Sequence, residues 1–280
     1  MILFKHFQDL HFHLVKHYSP QISVGFVPTM GALHSGHLSL IEQCKKQADI
    51  TVCSIFVNPV QFNNPEDFKK YPITIEKDIL FLEENGCDIL FLPDEKEIYP
   101  DAASKDRHFD LGYLETILEG KFRPGHFQGV CLIVEKLLNM VNPDYLFIGQ
   151  KDFQQCLVIK RLIEIMKKEI KVIVCPTLRE KNGLAMSSRN LRFHPAEKEL
   201  ASELSQSLQL IKENLTSTNF SELKKNAIIH LEKAGFKIEY LELAKAGNLE
   251  LTQAYEPSEE HVILIAAYLS DVRLIDNILI

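Results

Sequence analysis

The sequence predicts an α/β protein: a parallel sheet with helices on both faces, followed by a smaller α+β domain. The first observation is that short runs rich in β-branched residues alternate with stretches of helical periodicity to about residue 175. The second is a change of character after Cys175-Pro176, where Gly, Asn and Ser interrupt the apolar periodicity. We therefore predict a Rossmann-like domain over residues 1–176 and a smaller domain over residues 177–280.

The elements of the main domain follow from these runs. Strands are predicted at residues 22–27, 50–57, 88–92, 145–148 and 171–174. Helices are predicted between them at residues 37–47, 74–85, 128–141 and 152–168. The second helix should end at Gly86, because glycine readily adopts the conformation of a C′ residue. The N-terminal stretch of residues 1–18 is read as an amphipathic helix, since its apolar run before Lys5 is too short for a signal peptide.

The smaller domain is predicted from a different pattern. Two helical patterns come first, at residues 195–214 and 221–234. Three strand-like runs follow, at residues 237–243, 262–269 and 272–278. Helices grouped before strands are typical of an α+β domain.

Composition excludes several classes of protein. The chain has 280 residues, of which 46% are hydrophobic and 25% charged, so a disordered or fibrous protein is excluded. A formal net charge of -7 argues against a general nucleic-acid-binding protein, which needs a basic face. The six cysteines include no C-x-x-C pair, and no apolar run reaches the length of a membrane span. We therefore expect a cytoplasmic protein with reduced thiols and no membrane segment.

The junction after the first strand of the main domain is the most informative segment. The strand breaks at Pro28-Thr29-Met30-Gly31, and a helix begins at His34-Ser35-Gly36-His37. Unpaired N–H groups at this helix start are expected to face an anion. Gly36 lets a phosphate approach the backbone, and His34 and His37 lie one turn apart, so both imidazoles can reach the same phosphate. This pattern predicts charge stabilisation during a displacement at phosphorus.

The same junction has three other interpretations. Gly31 and Gly36 have the spacing of a P-loop, but His37 and Leu38 stand where that motif needs Lys and Ser or Thr. The histidine pair could chelate a metal, but no nearby Cys, Asp or Glu completes a ligand set. The histidines could also serve only as helix caps.

Polar residues follow other strands as well. Asn58 and Gln61 offer amides suited to a hydroxy acid, although Asn58 could simply cap a turn. Lys151 could meet a phosphate and Asp152 a nucleotide or magnesium ion, although Asp152 could be only an N-cap. The loop around residues 187–189 could close over pyrophosphate, although such a loop is more often solvated surface.

Together these segments resemble the pantothenate synthetase family, part of the nucleotidylyltransferase superfamily with its H-x-G-H turn. The strings that carry the resemblance are PTMGALHSGH at 28–37, SIFVNPVQF at 54–62, YP at 71–72, RPGHFQGV at 123–130, NPDYLFIGQKDFQQ at 142–155, GLAMSSRN at 183–190, YLEL at 240–243 and RLIDNI at 273–278. They extend through nearly the whole chain in one order. The loop at 186–189 stands where relatives in the superfamily carry a KMSKS-type loop.

The resemblance implies a ligase that condenses pantoate with β-alanine at the expense of ATP, through a pantoyl adenylate, releasing AMP and pyrophosphate. It also implies MgATP as substrate, a homodimer, and a lid role for the smaller domain. No catalytic Ser or Cys is required, because adenylation itself activates the carboxylate. Positioning alone can supply about 7–11 kcal/mol in favourable cases.

The resemblance also implies roles for single residues. The catalytic group would be His34, His37 and Lys151, with His37 usually described as the proton donor. The ATP site would comprise Met30, Gly31, Ala32, Leu33, His34, Ser35, Gly36, His37, Gly149, Gln150, Lys151, Asp152, Leu178, Met186, Ser187, Ser188 and Arg189. Gln61, Gln155 and Asn58 would form the pocket for pantoate and β-alanine, and no protein-held metal is expected. Gln150 departs from many relatives, which have glutamate at that position.

Two rival functions fit these residues less well. Another H-x-G-H adenylyltransferase, acting on a phosphate monoester, would need a basic acceptor pocket, whereas Asn58, Gln61 and Gln155 offer neutral amides. A nucleotide-binding module without turnover should have lost phosphate-facing residues, whereas both histidines and Lys151 are present.

Overall fold

The computed structural model of the protein describes residues 1–19, 21–101, 106–216 and 218–280. These residues form two compact units. Unit 1 comprises Met1–Gln150 and Gln155–Pro176, and unit 2 comprises Lys151–Gln154 and Thr177–Ile280. Each unit has its own sheet and its own apolar core.

Unit 1 is built on a six-stranded sheet in which every pairing is parallel. Its strands are β1 (Ile2–Phe4), β2 (Val24–Thr29), β3 (Ile50–Ile55), β4 (Ile89–Phe91), β5 (Tyr145–Gly149) and β6 (Lys171–Cys175). They lie in the order β1-β4-β3-β2-β5-β6. From β2 the chain first builds the sheet in one direction, through β3 and β4, and then crosses to the other side of β2 to add β5 and β6. The order of strands therefore reverses at β2, and sheets of this kind bind ligands beyond the carboxyl ends of the strands at such a reversal.

Helices connect these strands. They are α1 (Phe7–His17), α2 (Ser35–Gln47), α3 (Pro65–Lys69), α4 (Ile75–Glu84), α5 (Glu95–Ile98), α6 (Leu118–Phe122), α7 (His126–Val141) and α8 (Phe153–Met166). The helix α7 is buried along most of its length, as its nearly continuous apolar sequence requires. Within the described ranges, no helix is both long enough and apolar enough to cross a membrane.

The sequence located the main elements of unit 1. Each predicted strand and helix is present with ends within two residues of those expected. Gly86 follows the end of α4 with φ of 69°, as the C′ prediction required. The reading of residues 1–18 as one helix is wrong, because residues 2–4 pair in parallel with residues 89–91 of β4 and the helix begins only at Phe7.

Unit 2 contains a four-stranded antiparallel sheet in the order β10-β9-β7-β8. Its elements are α9 (Pro195–Ala201), α10 (Glu203–Asn214), α11 (Phe220–Lys233), β7 (Phe236–Lys245), β8 (Leu251–Thr252), β9 (His261–Leu269) and β10 (Val272–Leu279). The predicted fold class, a parallel α/β sheet followed by a smaller α+β part, is thus confirmed. The expected single helix over 195–214 is interrupted at Ser202, whose Oγ donates to the Glu199 carbonyl at 2.7 Å.

A buried acid on α7 makes the stability of the fold depend on pH. Burial raises the pKa of Glu135, and the charges of Arg107, Lys136 and Lys168 only partly offset this effect. The carboxyl group therefore holds its proton more tightly in the folded than in the unfolded chain. Stability must fall as pH rises from the ordinary glutamate range through the folded pKa.

We expect Glu135→Gln to raise the melting temperature relative to the natural protein at about pH 7.5, with a gain that shrinks towards about pH 4.5. The substitution removes the cost of burying the ionised form, and the partner Arg107 is half exposed and can be solvated. Calorimetry at both pH values checks this. A loss of stability at the higher pH, or an equal gain at both, would contradict the expectation.

Candidate active site

The turn between β2 and α2 is held by its own backbone and by the neighbouring strand. Two successive residues, Gly31 and Ala32, have left-handed φ values of 77° and 48°. The Thr29 hydroxyl donates to the Ser54 carbonyl of β3 at 2.7 Å and accepts the Gly31 N–H at 3.2 Å. The turn therefore has one defined path from the sheet to the helix.

The two histidines of the H-x-G-H segment cap the start of α2. His34 is the N-cap residue, and its Nδ1 accepts the Gly36 N–H at 3.1 Å. In return, Nδ1 of His37 accepts the His34 N–H at 3.3 Å. The ring centroids lie 4.1 Å apart. This is a reciprocal capping arrangement in which imidazoles take the places usually filled by Ser or Thr and Glu or Gln.

The capping bonds change one expectation and define the chemistry of the rings. The sequence predicted unpaired N–H groups at the helix start, but the Gly36 N–H is paired with an imidazole. Because Nδ1 of each ring accepts a backbone N–H, a neutral ring carries its proton on Nε2. Both histidines are thus fixed as Nε2 hydrogen-bond donors. The histidine-cap interpretation is correct for the local structure, and it is compatible with a phosphate-binding role.

Asn58 is fully engaged inside unit 1. Its Nδ2 donates to the Gly129 carbonyl at 3.0 Å and to Gln61 Oε1 at 3.3 Å. Its Oδ1 accepts the Tyr99 hydroxyl at 2.8 Å and the Val60 N–H at 3.3 Å. Burial raises the pKa of Tyr99, which keeps this hydroxyl protonated as a donor. An amide has two donors and two acceptor positions, and all four are used here, so Asn58 orients Gln61 from inside the unit. Its bond to the Val60 N–H is the turn cap that the sequence left open as an alternative.

Gln61 lies beside the turn that carries the histidines. It ends a short 3₁₀ helix, Pro59–Gln61, and its Nε2 lies 2.8 Å from Met30 Sδ. The buried His126 at the start of α7 holds its backbone, since His126 Nδ1 donates to the Gln61 carbonyl at 2.8 Å. Nε2 of that ring then accepts from Arg123 at 3.0 Å. The sequence analysis assigned no role to His126 or Arg123, although both lie in the quoted RPGHFQGV string.

The absence of a side chain at Gly129 allows the 59–61 turn to pack directly on α7. An added Cβ would lie 2.6 Å from the Val60 carbonyl oxygen and 2.7 Å from Gln61 Cα. Both are backbone atoms of the turn, so neither can move aside alone.

We expect Gly129→Ala to lower the free energy of unfolding by about 1–3 kcal/mol, the usual cost of overpacking a core. Urea denaturation followed by circular dichroism measures this. Gly247→Ala is the matched control, because its Cβ would meet nothing within 4 Å. Equal stability of the two variants would contradict the packing described.

In unit 2, the segment carrying Lys151 is tied to the last strand. Asn277 of β10 donates from Nδ2 to the Lys151 carbonyl at 2.8 Å. The Lys151 side chain is mostly buried, and its Nζ lies 3.8 Å from Asp152 Oδ1. Residues Gln150–Asp152 form a 3₁₀ turn that leads into α8. Asn277 thus fixes the backbone from which the predicted phosphate-binding lysine extends.

The loop after Thr177 is anchored by an ion pair. The two terminal guanidinium nitrogens of Arg179, Nη1 and Nη2, donate to Asp276 at 2.7 and 2.9 Å, and Arg179 also donates to the Gly183 and Asn277 carbonyls. Asp276 is almost completely buried. A bidentate arginine–carboxylate pair fixes geometry as well as charge, so it defines where this loop begins. Asp276 lies within the RLIDNI string, but no local pattern in the sequence points to this role.

The predicted ATP-binding residues of this loop have a defined backbone. The Met186 N–H donates to the Leu178 carbonyl at 3.0 Å. Beside this bond, Arg179 and Ala185 form an isolated antiparallel β-bridge. Ser187 caps the 3₁₀ helix Ser188–Arg192 by accepting the Arg189 N–H at 3.3 Å. The loop is therefore an ordered hairpin followed by a capped turn.

The predicted site residues fall into two groups. Unit 1 holds Met30, Gly31, Ala32, Leu33, His34, Ser35, Gly36, His37, Asn58, Gln61, Gly149, Gln150 and Gln155, and unit 2 holds Lys151, Asp152, Leu178, Met186, Ser187, Ser188 and Arg189. Within unit 1, the structure brings together the histidine turn and Gln61 through the contact at Met30. Gly149 ends β5, the neighbour of β2 in the sheet. Within unit 2, Leu178 and Met186 are hydrogen-bonded neighbours.

The cysteines pack as small apolar residues. All six are buried and unpaired with one another. Burial raises the pKa of Cys44 and Cys175 to about 11 and that of Cys87 and Cys131 to about 12. These four thiols are protonated at neutral pH and are poor nucleophiles.

A comparison with protein families shows a match over nearly the whole chain. The model described as pantoate-beta-alanine ligase matches residues 3–279. A pantothenate synthetase of Cytophaga hutchinsonii is 44% identical over 285 residues, covering 100% of this chain and 99% of that protein. One of Bacteroides thetaiotaomicron is 42% identical, covering 91% and 90%.

Solved structures agree with this match. The crystal structure of a pantothenate synthetase from Thermus thermophilus superposes with a TM-score of 0.91 at 34% identity, covering 99% of both chains. A pantoate-beta-alanine ligase from Francisella tularensis, complexed with beta-gamma ATP and beta-alanine, gives a TM-score of 0.82 at 39% identity, covering 100% of this chain and 97% of that one.

Proposed function

Since this chain belongs to the pantoate-beta-alanine ligase family, we propose that it condenses pantoate with β-alanine at the expense of ATP. The observation within the structure that carries this proposal is the histidine pair after β2, whose capping bonds leave both ring protons on Nε2. It lies beyond the carboxyl end of a central parallel strand, where such sheets bind ligands.

The reaction has two steps, and each balances without a protein nucleophile. In the first, a carboxylate oxygen of pantoate bonds to the α-phosphorus of ATP as the bond to pyrophosphate breaks. In the second, the amine of β-alanine attacks the acyl carbon of pantoyl adenylate, the bond from that carbon to the bridging oxygen breaks, and AMP leaves. The amine loses a proton in this step, and the product is the amide pantothenate.

The residues of unit 1 act on the reacting centre. Nε2–H groups of His34 and His37 donate to phosphate oxygens as charge builds on them, in the manner of an oxyanion site. Gln61, held by Asn58 and His126, binds pantoate together with Gln155. The backbone from Met30 to His37 and the end of β5 bind the nucleotide.

Four further residues have proposed roles at the phosphates. Lys151 binds the phosphates, and Ser187, Ser188 and Arg189 hold pyrophosphate as it departs. Residues 177–280 act as the lid domain, with Leu178 next to the adenine. Asp152 binds the nucleotide.

Magnesium enters with ATP as part of the substrate. Among the described residues, no group of three or more His, Cys, Asp and Glu side chains is placed to hold a metal ion. An ion carried on the phosphates would neutralise charge on the triphosphate. The active protein is a homodimer.

Oxygen labelling tests the proposed function. The protein is incubated with MgATP, β-alanine and pantoate that carries ¹⁸O in its carboxylate. We expect AMP and pantothenate in equal amounts, with one ¹⁸O in each AMP, because the bridging oxygen leaves with AMP. Omission of any one substrate should abolish AMP formation. Formation of ADP, or unlabelled AMP beside pantothenate, would overturn the proposal.

A further inference from the structure

The backbone of the phosphate-facing turn adopts a conformation that its sequence alone does not favour. Gly31 tolerates a left-handed φ, but Ala32 at 48° is a residue with a Cβ in the same region. Such a backbone persists only where its surroundings define it. The surroundings here come from the helix α4, which lies far away in the sequence.

Asp78 of α4 is the group that holds this turn. Its Oδ2 accepts the Ala32 N–H at 2.9 Å, and its Oδ1 accepts the Leu33 N–H at 2.8 Å. The Thr74 hydroxyl donates to the same Oδ1 at 3.0 Å. Only 2% of Asp78 is exposed, so these bonds are shielded from water. Each carboxylate oxygen thus fixes one of two successive N–H groups of the turn.

Asp78 also packs against Gly31, the residue that precedes Ala32 and Leu33. A Cβ added to Gly31 would lie 3.0 Å from Asp78 Oδ2 and 3.1 Å from Ile55 Cγ2. The turn is therefore confined between a strand of the sheet and a carboxylate. Leu33, the second residue whose N–H is held, directly precedes the cap residue His34.

We propose that Asp78 is a positioning residue for the reaction: it sets the backbone of residues 31–33 and thereby places both imidazoles of the H-x-G-H segment against the α-phosphate. The inference rests on the proposed function. It assigns to α4 a part in adenylate formation through the turn, with no contact between Asp78 and substrate required.

The carboxylate of Asp78 holds the turn because it has two acceptor oxygens. Asparagine has the same shape, but it offers one acceptor and one NH₂ group. In Asp78→Asn, one of the two N–H groups would face another donor in a buried place, and the turn would have to move. A shift of about 1 Å in a reacting group can cost roughly a hundredfold in rate.

The test compares Asp78→Asn with Asp144→Asn. Asp144 accepts the Val24 N–H at 2.7 Å and so holds the opposite end of the same strand β2. Pyrophosphate exchange into ATP is measured with pantoate present, per folded molecule, with the folded fraction taken from circular dichroism. We expect kcat to fall between roughly tenfold and a hundredfold in Asp78→Asn, with the KM for pantoate within about threefold.

Asp144→Asn should keep kcat within about twofold of the natural protein, because the amino end of β2 lies away from the reacting groups. A folded Asp78→Asn variant with kcat also within twofold would overturn the inference, and so would an equal fall of kcat in both variants. If Asp78→Asn does not fold, Thr74→Val takes its place. Thr74→Val removes only the hydrogen bond from the Thr74 hydroxyl to Asp78 Oδ1 and should lower kcat about threefold. An unchanged kcat would then overturn the inference.

Measurements on the natural protein distinguish a failure of the proposed function from a failure of the positioning role of Asp78. If it shows no pantoate-dependent exchange, the proposed function fails. If it exchanges and the Asp78 variant exchanges equally well, the proposed function stands and the positioning role fails.

Discussion

His37→Ala is expected to lower the rate of pantoate-dependent adenylate formation by about a hundredfold to a thousandfold, the usual cost of removing one transition-state hydrogen-bond donor. The ground-state affinity for ATP should weaken only a few-fold, because the proposed nucleotide site includes many residues besides His37. The variant loses the Nε2 donor and also the cap on the His34 N–H. Single-turnover kinetics and equilibrium ATP binding measure the two effects separately.

A second variant distinguishes capping from catalysis. His37→Gln keeps an acceptor for the His34 N–H, as Gln does at this position of ordinary capping boxes, and it keeps an N–H donor. It should therefore recover part of the rate that His37→Ala loses. His230→Ala, a change at an exposed histidine on α11, is the control and should leave the rate unchanged. A rate for His37→Ala within threefold of the natural protein would contradict the role given to this imidazole.

Asp276→Ala is expected to have the largest effect on stability, lowering the free energy of unfolding by about 3 kcal/mol. The substitution removes the two carboxylate acceptors of Arg179 and the acceptor of the Asn277 N–H. It leaves a guanidinium that is only 30% exposed with two carbonyl acceptors but without its negatively charged partner. The loop from residue 177 onward would lose its anchor.

Urea denaturation followed by circular dichroism measures this loss, since the chain has no tryptophan for fluorescence. Glu259→Ala is the control within the same unit, because the ion pair of Glu259 with Lys245 is solvent-exposed. It should leave the unfolding transition unchanged, as water and salt screen such pairs. A transition of Asp276→Ala that coincides with that of the control would show that the anchor contributes little.

Local patterns in the sequence predicted most of the fold. The strands and long helices have strong periodicity, and their ends carry recognisable residues such as Gly86. The strand β1 was missed because its three residues become a strand only by pairing with β4, which lies more than eighty residues away. The short β8 and the break at Ser202 were also missed, since neither changes the apolar period enough to be seen.

The sequence also located the histidine turn and Gln61, but not the groups that hold them. Asp78, His126 and Asp276 act over 45 to 97 residues of sequence, which no local pattern reports. One signal was present for Asp78: it shares a face of α4 with the apolar residues Ile75 and Leu82. A carboxylate on the buried face of a helix requires partners, so it points to a constrained segment nearby.

Exchange of labelled pyrophosphate into ATP, with pantoate present and β-alanine absent, tests the central claim most directly. Formation of pantoyl adenylate is reversible, so label should enter ATP only when pantoate is supplied. We expect exchange that rises to saturation with pantoate and is lost in His37→Ala. If the protein binds ATP but shows no exchange, or exchanges equally without pantoate, then activation of the acid through an adenylate is contradicted.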